Sequence, residues 1–567
     1  MQVTSDQPQN TARYFFNLLG FLPQGPKMVV TSYTDASPFS LLDAETGAVC
    51  YTGVLEASPL DPITGIASTK ADFSDFTTPG SYRLSVGTDL SPVFSIAEHS
   101  YDALTRDMLK MFYFQRCGCE LKPEHAGKFV HPACHTQPAL PYGADPATAT
   151  PLDVHGGWHD AGDYGRYVTP GALTVSHLLY AYELFPEKFA FTVNIPETGN
   201  GTPDVLNEAR YELDWLMRMQ LSDGSVYHKV TTANHAPFIM PEEDVSQLFV
   251  YPPSSMATAM FAAVTLQAAR IFRAFDEAYA NRLFEAGLLS LRFLLEHPEF
   301  IPFRNPKDCR TGEYGHPSDR DQRLWAGAEF LRTLATGAFD ALLPDDIATI
   351  REKVFARFRG NMIDRTVRKD SFGWVQTGGL ALLCVLFCPD AETVFSAPCV
   401  EVAKFYLKHY ADKYLEERKE SSFHIPLARE EYTWGSSLSL MNKAMFCVAA
   451  HLLTGDEPYR TCAYDCLDYL LGRNTLQFSY VSGHGSNCLK DPHNRPTVAD
   501  GIEEMIPGFV AGGANCLFHD PTAKELLSEM GKVAPMDCYI DDCECFSLNE
   551  IAIYWNSTAF FVAAYLM

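Results

Sequence analysis

Apolar and polar residues alternate along residues 27–97, in short runs. KMVVTSY, FSLLDAETGAVCYTGV, ADFSDF and GSYRLSV change face at each residue, and Gly, Pro and Asp separate them. A period of two belongs to half-buried strands, and turn residues at these intervals describe a small sandwich of immunoglobulin type. The cysteine–tryptophan–cysteine core of antibody domains is missing, so the pattern implies the architecture alone. From about residue 99 the period lengthens. SYDALTRDMLKMFYFQRC, DVLNEARYELDWLMRMQ, SSMATAMFAAVTLQAARIF, RLFEAGLLSLRFLLE and RLWAGAEFLRTLATG carry apolar residues at i, i+3 and i+4. So do VEVAKFYLKHYADKYL, SLMNKAMFCVAAHLLTG, TCAYDCLDYLLGR and NEIAIYWNSTAFFVAAYL. Several are alanine-rich and apolar nearly all round, which describes helices packed on two faces. Gly/Pro/Asp loops longer than connectors need to be run between them. About a dozen helices with such loops suggest an α/α barrel whose loops build a cleft at one end. The expected organisation is an immunoglobulin-like β-sandwich at 12–98 and an all-α barrel at 99–567.

Composition narrows the partners. The chain has 567 residues, 47% of them hydrophobic, enough for large cores. Lys and Arg number 44 against 70 Asp and Glu, a net charge of −26. That charge repels phosphate backbones and excludes nucleic acid as a partner, while neutral ligands and cations are tolerated. Aromatics reach 13%, a surplus suited to flat surfaces that stack sugars. No apolar run reaches the length of a membrane span, so no membrane partner is expected. The opening MQVTSDQPQN lacks the basic and apolar regions of a signal peptide. Most of the sixteen cysteines sit singly in helical patterns, as Cys384, Cys388, Cys447 and Cys462 do. Free buried thiols suit a reducing setting, so the expectation is a cytoplasmic monomer, or a secreted one if a leader has been trimmed.

Three loops concentrate chemistry. GGWHDAGDYGRYV, residues 156–168, holds glycines, a tryptophan, a histidine and two acids three apart, Asp160 and Asp163. Carboxylates this close on a bent loop can share one water, Asp163 taking its proton while Asp160 orients it. Like charges at that spacing raise one pKa. The same residues also read as an Asx-turn loop whose acids cap backbone amides. SYVSGHGSNCLKDPHNRP, residues 479–496, puts His493 and Arg495 two apart, on one side of an extended segment. An imidazole and a guanidinium there suit hydroxyls or a carboxylate, and equally an ordinary surface ion pair. In YIDDCECFSLNEIAIYWNSTAF, residues 539–560, Glu550 opens an apolar helix, where the helix dipole alone favours an acid. Its neighbours Ile551, Ile553, Tyr554 and Trp555 would desolvate it and raise its pKa, as a general acid requires. Finally, RCGCELKPEHAGKFVHPACHTQ crowds Cys117, Cys119, His125, His131, Cys134 and His135 on loops, a composition that suggests tetrahedral Zn²⁺.

Together, in this order, GGWHDAGDYGRY, the PHNR loop after SYVSGHGS and NEIAIYWN resemble the signature regions of glycoside hydrolase family 9. PETGNGTPDVLNEARYELDWLMRMQ, GSVYHKVT, YTWGSSLSLMNKAM and YLLGRNTLQFSYVSG add to the likeness, which covers most of the chain. The leading sandwich is similar to that of the family branch with an immunoglobulin-like domain in front. The resemblance implies an (α/α)6 barrel that hydrolyses β-1,4-glucosidic bonds with inversion. Carried over by position, Asp163 would be the general base, Asp160 its partner on the water and Glu550 the general acid. Acid and base would then stand about 6.5–9.5 Å apart. His493 and Arg495 match substrate-binding positions, and Asn494 departs from the His or Asp of many relatives. Aromatics should floor the cleft, with Trp434 first, then Trp374; Tyr554 lies near the acid, and Trp325 reads as core.

The same resemblance places a structural zinc on Cys117, Cys134, His135 and His159, the last beside Asp160. TGEYGHPSDRDQR, residues 311–323, is similar to a calcium loop, with Asp319 and Asp321 as ligands, although His316 and Gln322 replace residues common there. Asn207 and Glu208 are a second calcium candidate that reads better as plain helix surface. No organic cofactor is implied. The function implied is an endo-β-1,4-glucanase on cellulose, mixed-linkage glucan or cellodextrins. No carbohydrate-binding segment follows the barrel, so soluble or short glucans are expected substrates. The alternatives are an exo-acting cellodextrinase or β-glucosaminidase on the same scaffold, and an inactive carbohydrate-binding protein. The last predicts a missing catalytic acid, yet all three are present.

Overall fold

The computed structural model of the protein describes residues 13–58, 60–532 and 534–567. Segment 1–12, with the position where the first domain is expected to begin, lies outside the described residues. The N-terminal part is a sandwich. One sheet runs β1 (Tyr14–Phe15), β2 (Met28–Thr31), β6 (Thr69–Asp72) and β5 (Glu56–Ala57). The other runs β4 (Val49–Val54), β3 (Pro38–Asp43), β7 (Gly80–Val86) and β8 (Asp89–Leu90), with β9 (Phe94–Ile96) on β7. The alternation read in FSLLD and GSYRLSV places Phe39, Leu41, Tyr82 and Leu84 in the core between the sheets.

The sequence pattern hid β1. Tyr14, Phe15 and Phe16 are all buried, so no polar face marks the strand. The period of two is present, but it alternates between two cores. Tyr14 and Phe16 enter the sandwich, whereas Phe15 packs on Phe423 of the helical part at 5.5 Å. Buried polar bonds join the halves beside it: the Asn17 amide donates to Asp468 at 2.8 Å, and the Ser422 N–H to Asp61 at 2.8 Å.

The helical part is an (α/α)6 barrel. Its helices are α1 (Asp102–Phe114), α2 (Val168–Leu184), α3 (Asp204–Arg218), α4 (Ser255–Phe272), α5 (Glu277–Glu296) and α6 (Arg320–Ala335). They continue as α7 (Ile347–Ile363), α8 (Gly378–Leu386), α9 (Ala397–Glu420), α10 (Ser436–Thr454), α11 (Glu457–Leu470) and α12 (Ile553–Leu566). The even-numbered helices touch in sequence and close into an inner ring through α12 and α2. Each odd-numbered helix packs outside the ring. An inner helix has apolar neighbours on every side, which removes its 3.6-residue signature. That is why α2, with β-branched residues, Pro170 and Gly171, was not expected from the pattern. α4 corrects another expectation: Ser255–Phe272 is long and apolar enough to cross a membrane, yet it is buried in the ring. The chain's sixteen cysteines are free thiols among the described residues.

Candidate active site

The loops at the ends of the inner helices are tied together by main-chain hydrogen bonds. Ala161 bridges Ala552, His493 bridges Glu550, the Ile553 N–H donates to the Asp160 carbonyl at 2.8 Å, and the Arg495 N–H to the Gly162 carbonyl at 3.1 Å. Segments more than three hundred residues apart are thereby fixed in one small patch of backbone. Gly162 is required there, because any Cβ would overlap the carbonyl oxygen of His493.

Glu550 sits differently from the expectation. It is not in the first turn of a helix: its backbone is extended (φ −62°, ψ 150°), and α12 starts only at Ile553. No helix dipole acts through a first-turn position, so the dipole account of this acid fails. Its side chain, enclosed but still open to the cleft, is raised well above the usual carboxyl range. Burial is the first cause; the charges of Asp163 and Asp160 act the same way, against Arg495 and Trp434.

The two aspartates part company. Asp160 is 1% exposed, and burial drives its carboxyl well above the usual range. The Tyr314 hydroxyl, hydrogen-bonded to its Oδ2, opposes that rise, and the charge of Asp163 adds to it. Its Oδ1 has no protein partner among the described residues. Burial alone would also raise Asp163, but its surroundings outweigh burial. His235 Nδ1 stands 3.3 Å from Oδ2, Arg495 adds positive charge, and the Gly165 N–H donates at 3.1 Å. Tyr167 donates to the same oxygen at 3.2 Å. Asp163 is therefore held below the usual range while Asp160 keeps its proton to higher pH. One acid of the pair is raised, as like charges at this spacing require.

His493 donates its Nδ1 proton to the Cys543 carbonyl at 2.6 Å, and its ring packs on Phe238 at 5.3 Å. Burial lowers its pKa, so the imidazole is neutral with Nε2 unprotonated. The Arg495 guanidinium donates to the Gly162 and Ala236 carbonyls, each at 2.7 Å. The two residues do not share one extended segment, because Arg495 opens a short helix, Arg495–Ala499. Asn494 is its N-cap, accepting the Thr497 N–H at 3.3 Å. Trp434 is 43% exposed beside Glu550 and packs on Phe546 at 5.2 Å. Trp374 meets Tyr314 edge-on at 4.8 Å, and Tyr554 lies 6.3 Å from the same ring. Trp325 is fully buried and belongs to the core.

Beneath Asp160 lies a second cluster. One ligand atom each of Cys117, Cys134, His135 and His159 falls within 4.8 Å of all the others, and all four residues are buried. Cys119, His125 and His131 are not part of it. His135 has φ 49°, a strained value for a non-glycine residue. Its Nδ1 is buried with no partner, while Nε2 faces Asp244 at 3.4 Å. A ring nitrogen left open on the cluster side, with a carboxylate on the other, is the usual arrangement of a metal-ligating histidine. The residues present therefore fit a four-coordinate metal ion.

The calcium readings fare differently. Asp319 accepts from Arg323 at 2.7 Å and Asp321 from the Thr377 N–H at 2.7 Å. Neither joins a metal-sized group of ligands among the described residues. What the 311–323 loop does place is Tyr314, on Asp160. Gln322, an expected departure, donates to the Val375 carbonyl at 3.2 Å and holds the Trp374 segment. Asn207 and Glu208 are not helix surface: both are buried, and Glu208 pairs with Arg116 at 2.9 Å.

Sequence reasoning missed His235, Tyr314, Asp244 and Glu212, which lie outside the signature loops. Glu212 is the most informative. Its Oε2 accepts the Trp158 N–H at 2.6 Å, and its carboxyl fits only because Gly157 and Gly171 carry no side chain. Gly171 thus breaks the α2 pattern to seat an acid under the loop that carries Asp160 and Asp163. Replacing Glu212 by Ala leaves the buried Trp158 N–H unpartnered, a cost of ~1–3 kcal/mol. We expect a lower midpoint in urea unfolding; an unchanged midpoint would refute the support role.

Residues 101–563 match glycosyl hydrolase family 9, and residues 9–91 match the cellulase N-terminal ig-like domain. A cellodextrinase of Butyrivibrio fibrisolvens is 38% identical over 552 residues, covering 96% of this chain and 98% of that protein. Endoglucanase D of Acetivibrio thermocellus is 34% identical over 564 residues, covering 98% and 83%. Among solved structures, a single mutant of a thermostable endoglucanase from Alicyclobacillus acidocaldarius superposes with a TM-score of 0.88 at 32% identity, covering 98% of this chain and 99% of that one.

Proposed function

This chain belongs to glycosyl hydrolase family 9, and we propose that it cleaves the β-1,4-glucosidic bonds of soluble glucans and cellodextrins with inversion. The observation that carries this reading is the divergence of three carboxyls held in one patch. Its partners hold Asp163 below the usual carboxylate range, and burial raises Glu550 and Asp160 well above it. Asp163 accepts a proton from the attacking water as C1–O cleavage begins, and Glu550 Oε gives its proton to the departing glucosyl oxygen. Asp160 Oδ1, free of protein partners, is available to orient that water. The new C1–O bond forms on the face opposite the broken one. Neutral His493 Nε2 accepts from a sugar hydroxyl, and Trp434 and Trp374 carry the rings. Zinc is the ion that two thiolates and two imidazoles suit best. Bound there, it would cross-link four loop residues and leave no open position for substrate.

Relatives of both modes of action match over nearly the whole chain, so we propose endo action and keep exo-acting cellodextrin cleavage as the second reading. A time course on cellohexaose separates them: endo action gives several early products, exo action one short product throughout. Proton NMR of the first turnovers should show the α-anomer at the new reducing end. Initial release of the β-anomer would overturn the assignment of Asp163 as a base.

A further inference from the structure

Of the large apolar side chains exposed on the described surface, two are aromatic. One is Trp434 in the cleft. The other is Phe405, 62% exposed on the outer helix α9. Phe405 is not alone. Its ring lies parallel to that of His409 at 5.7 Å, and Tyr406 lies nearly parallel to Tyr410 at 6.0 Å. Edge contacts of 5.4 Å and 5.3 Å join the two pairs. Residues at i, i+1, i+4 and i+5 share one side of a helix, so the four rings form a continuous strip.

The inner edge of the strip is anchored and the outer edge is free. Tyr410 packs on Phe446 at 5.6 Å, Phe446 packs on Phe372 at 4.5 Å, and the Lys369 ammonium lies 4.9 Å from the Tyr406 ring. Phe405 and His409 face solvent, and no packing requires them to be aromatic. Beneath the strip, the buried Lys369 and Phe372, which touch it or its support, share a loop with Trp374, which packs against Tyr314 at the acids. Ion pairs Arg368–Asp370, Lys404–Glu401 and Lys408–Asp412 line the rim, so its charges are balanced locally.

We propose that this strip is a second glucan-binding site, holding a length of the polymer on the barrel wall beside the cleft. The proposal rests on the glucan reading of the active site. An uncharged polyol fits the strip in both respects. The CH faces of pyranose rings pack on aromatic faces, and their hydroxyls reach the tyrosine hydroxyls, His409 and the paired ions. A neutral chain meets no repulsion from a protein of charge −26, whereas nucleic acid or a second copy of this chain does. The gain is one of effective concentration: a polymer held on the wall presents its next segment to the cleft, and a short oligosaccharide gains nothing.

The test uses the double substitution Phe405→Ala, His409→Ala, which alters exposed side chains only. Retention is read by electrophoresis through gels containing mixed-linkage β-glucan, in a Glu550→Gln background so that the polymer survives. We expect the double variant to bind the gel polymer about fivefold more weakly or worse. With Glu550 intact, kcat/KM on cellotetraose should stay within about twofold. Unchanged retention overturns the proposal, as does an equal loss on cellotetraose, which would locate the effect in the cleft. A wild-type dimer split by the substitutions, seen in sedimentation, would assign the strip to self-association instead. Failure of the intact enzyme to hydrolyse cellotetraose would sink the glucanase reading, while retention still judges the strip.

Discussion

Glu550→Gln is expected to lower kcat on cello-oligosaccharides by about 10²–10⁴-fold, with binding in titration calorimetry largely preserved. The amide keeps the size and the hydrogen-bonding reach toward Trp434 but carries no acidic proton. The loss should depend on the leaving group. An aryl cellobioside whose phenol departs without protonation should lose far less than cellotetraose, because only the proton transfer has been removed. A pH profile adds an independent check. Asp163 must be ionised and its pKa is depressed, so the acid limb of kcat/KM lies below the ordinary carboxylate range. Glu550 must be protonated and its pKa is raised, so activity persists above that range and falls only as pH climbs through the raised value. In Glu550→Gln the alkaline limb should vanish and the acid limb stay. A kcat within tenfold of the parent, or an alkaline limb that survives, would remove Glu550 from the acid's role.

Most strands and helices were legible because their signals are local, whereas the three acids were singled out by resemblance and their roles stand as proposals. Strands such as GSYRLSV alternate against one core, and the glycine-bent GGWHDAGDYGRYV loop excludes regular structure by composition. What stayed hidden depends on neighbours distant in sequence. β1 alternates between two cores, and α2 is apolar all round, so each lost the contrast that pattern reading needs. The electrostatic split of Asp160 from Asp163 comes from Tyr314 and His235, at least seventy residues further along the chain. His235 stands in no motif and Tyr314 in a loop read for calcium, so only tertiary contact gives either residue its role. Glu550 was recognisable, but its backbone was not: the bridge to His493 converts an apparent helix start into an extended segment. The four residues proposed to hold zinc were nameable only by resemblance, since CH at 134–135 has no standard spacing. Asp244, which turns His135, carries no sequence signal at all.

Cys134→Ser is expected to empty the metal cluster and to lower thermal stability sharply while cutting kcat far less than loss of the acid does. By elemental analysis the parent should hold one zinc per chain and the variant almost none. Asp244→Asn, which keeps every ligand but weakens the grip on His135, should bind zinc about 10–100-fold more weakly. The imbalance between stability and turnover follows from how the catalytic loop is anchored. His159 is one of the proposed ligands and precedes Asp160, so a bound metal would brace the loop at one point. The same segment is held without it: the His159 N–H donates to the Gln115 carbonyl at 2.7 Å, and the Gln115 amide to the His159 and Ala161 carbonyls at 3.0 Å each. Glu212 holds Trp158 on the other side of His159. With those bonds intact, metal loss loosens the loop and misplaces Asp160 in part, but leaves Asp163, His235 and Glu550 in place. A chelator should reproduce the stability loss in the parent and add nothing in Cys134→Ser. If Cys134→Ser instead abolished turnover as completely as Glu550→Gln does, with its fold intact by circular dichroism, the ion would be acting on the chemistry. Four filled protein positions leave it no way to do so, and the structural assignment would have to be abandoned.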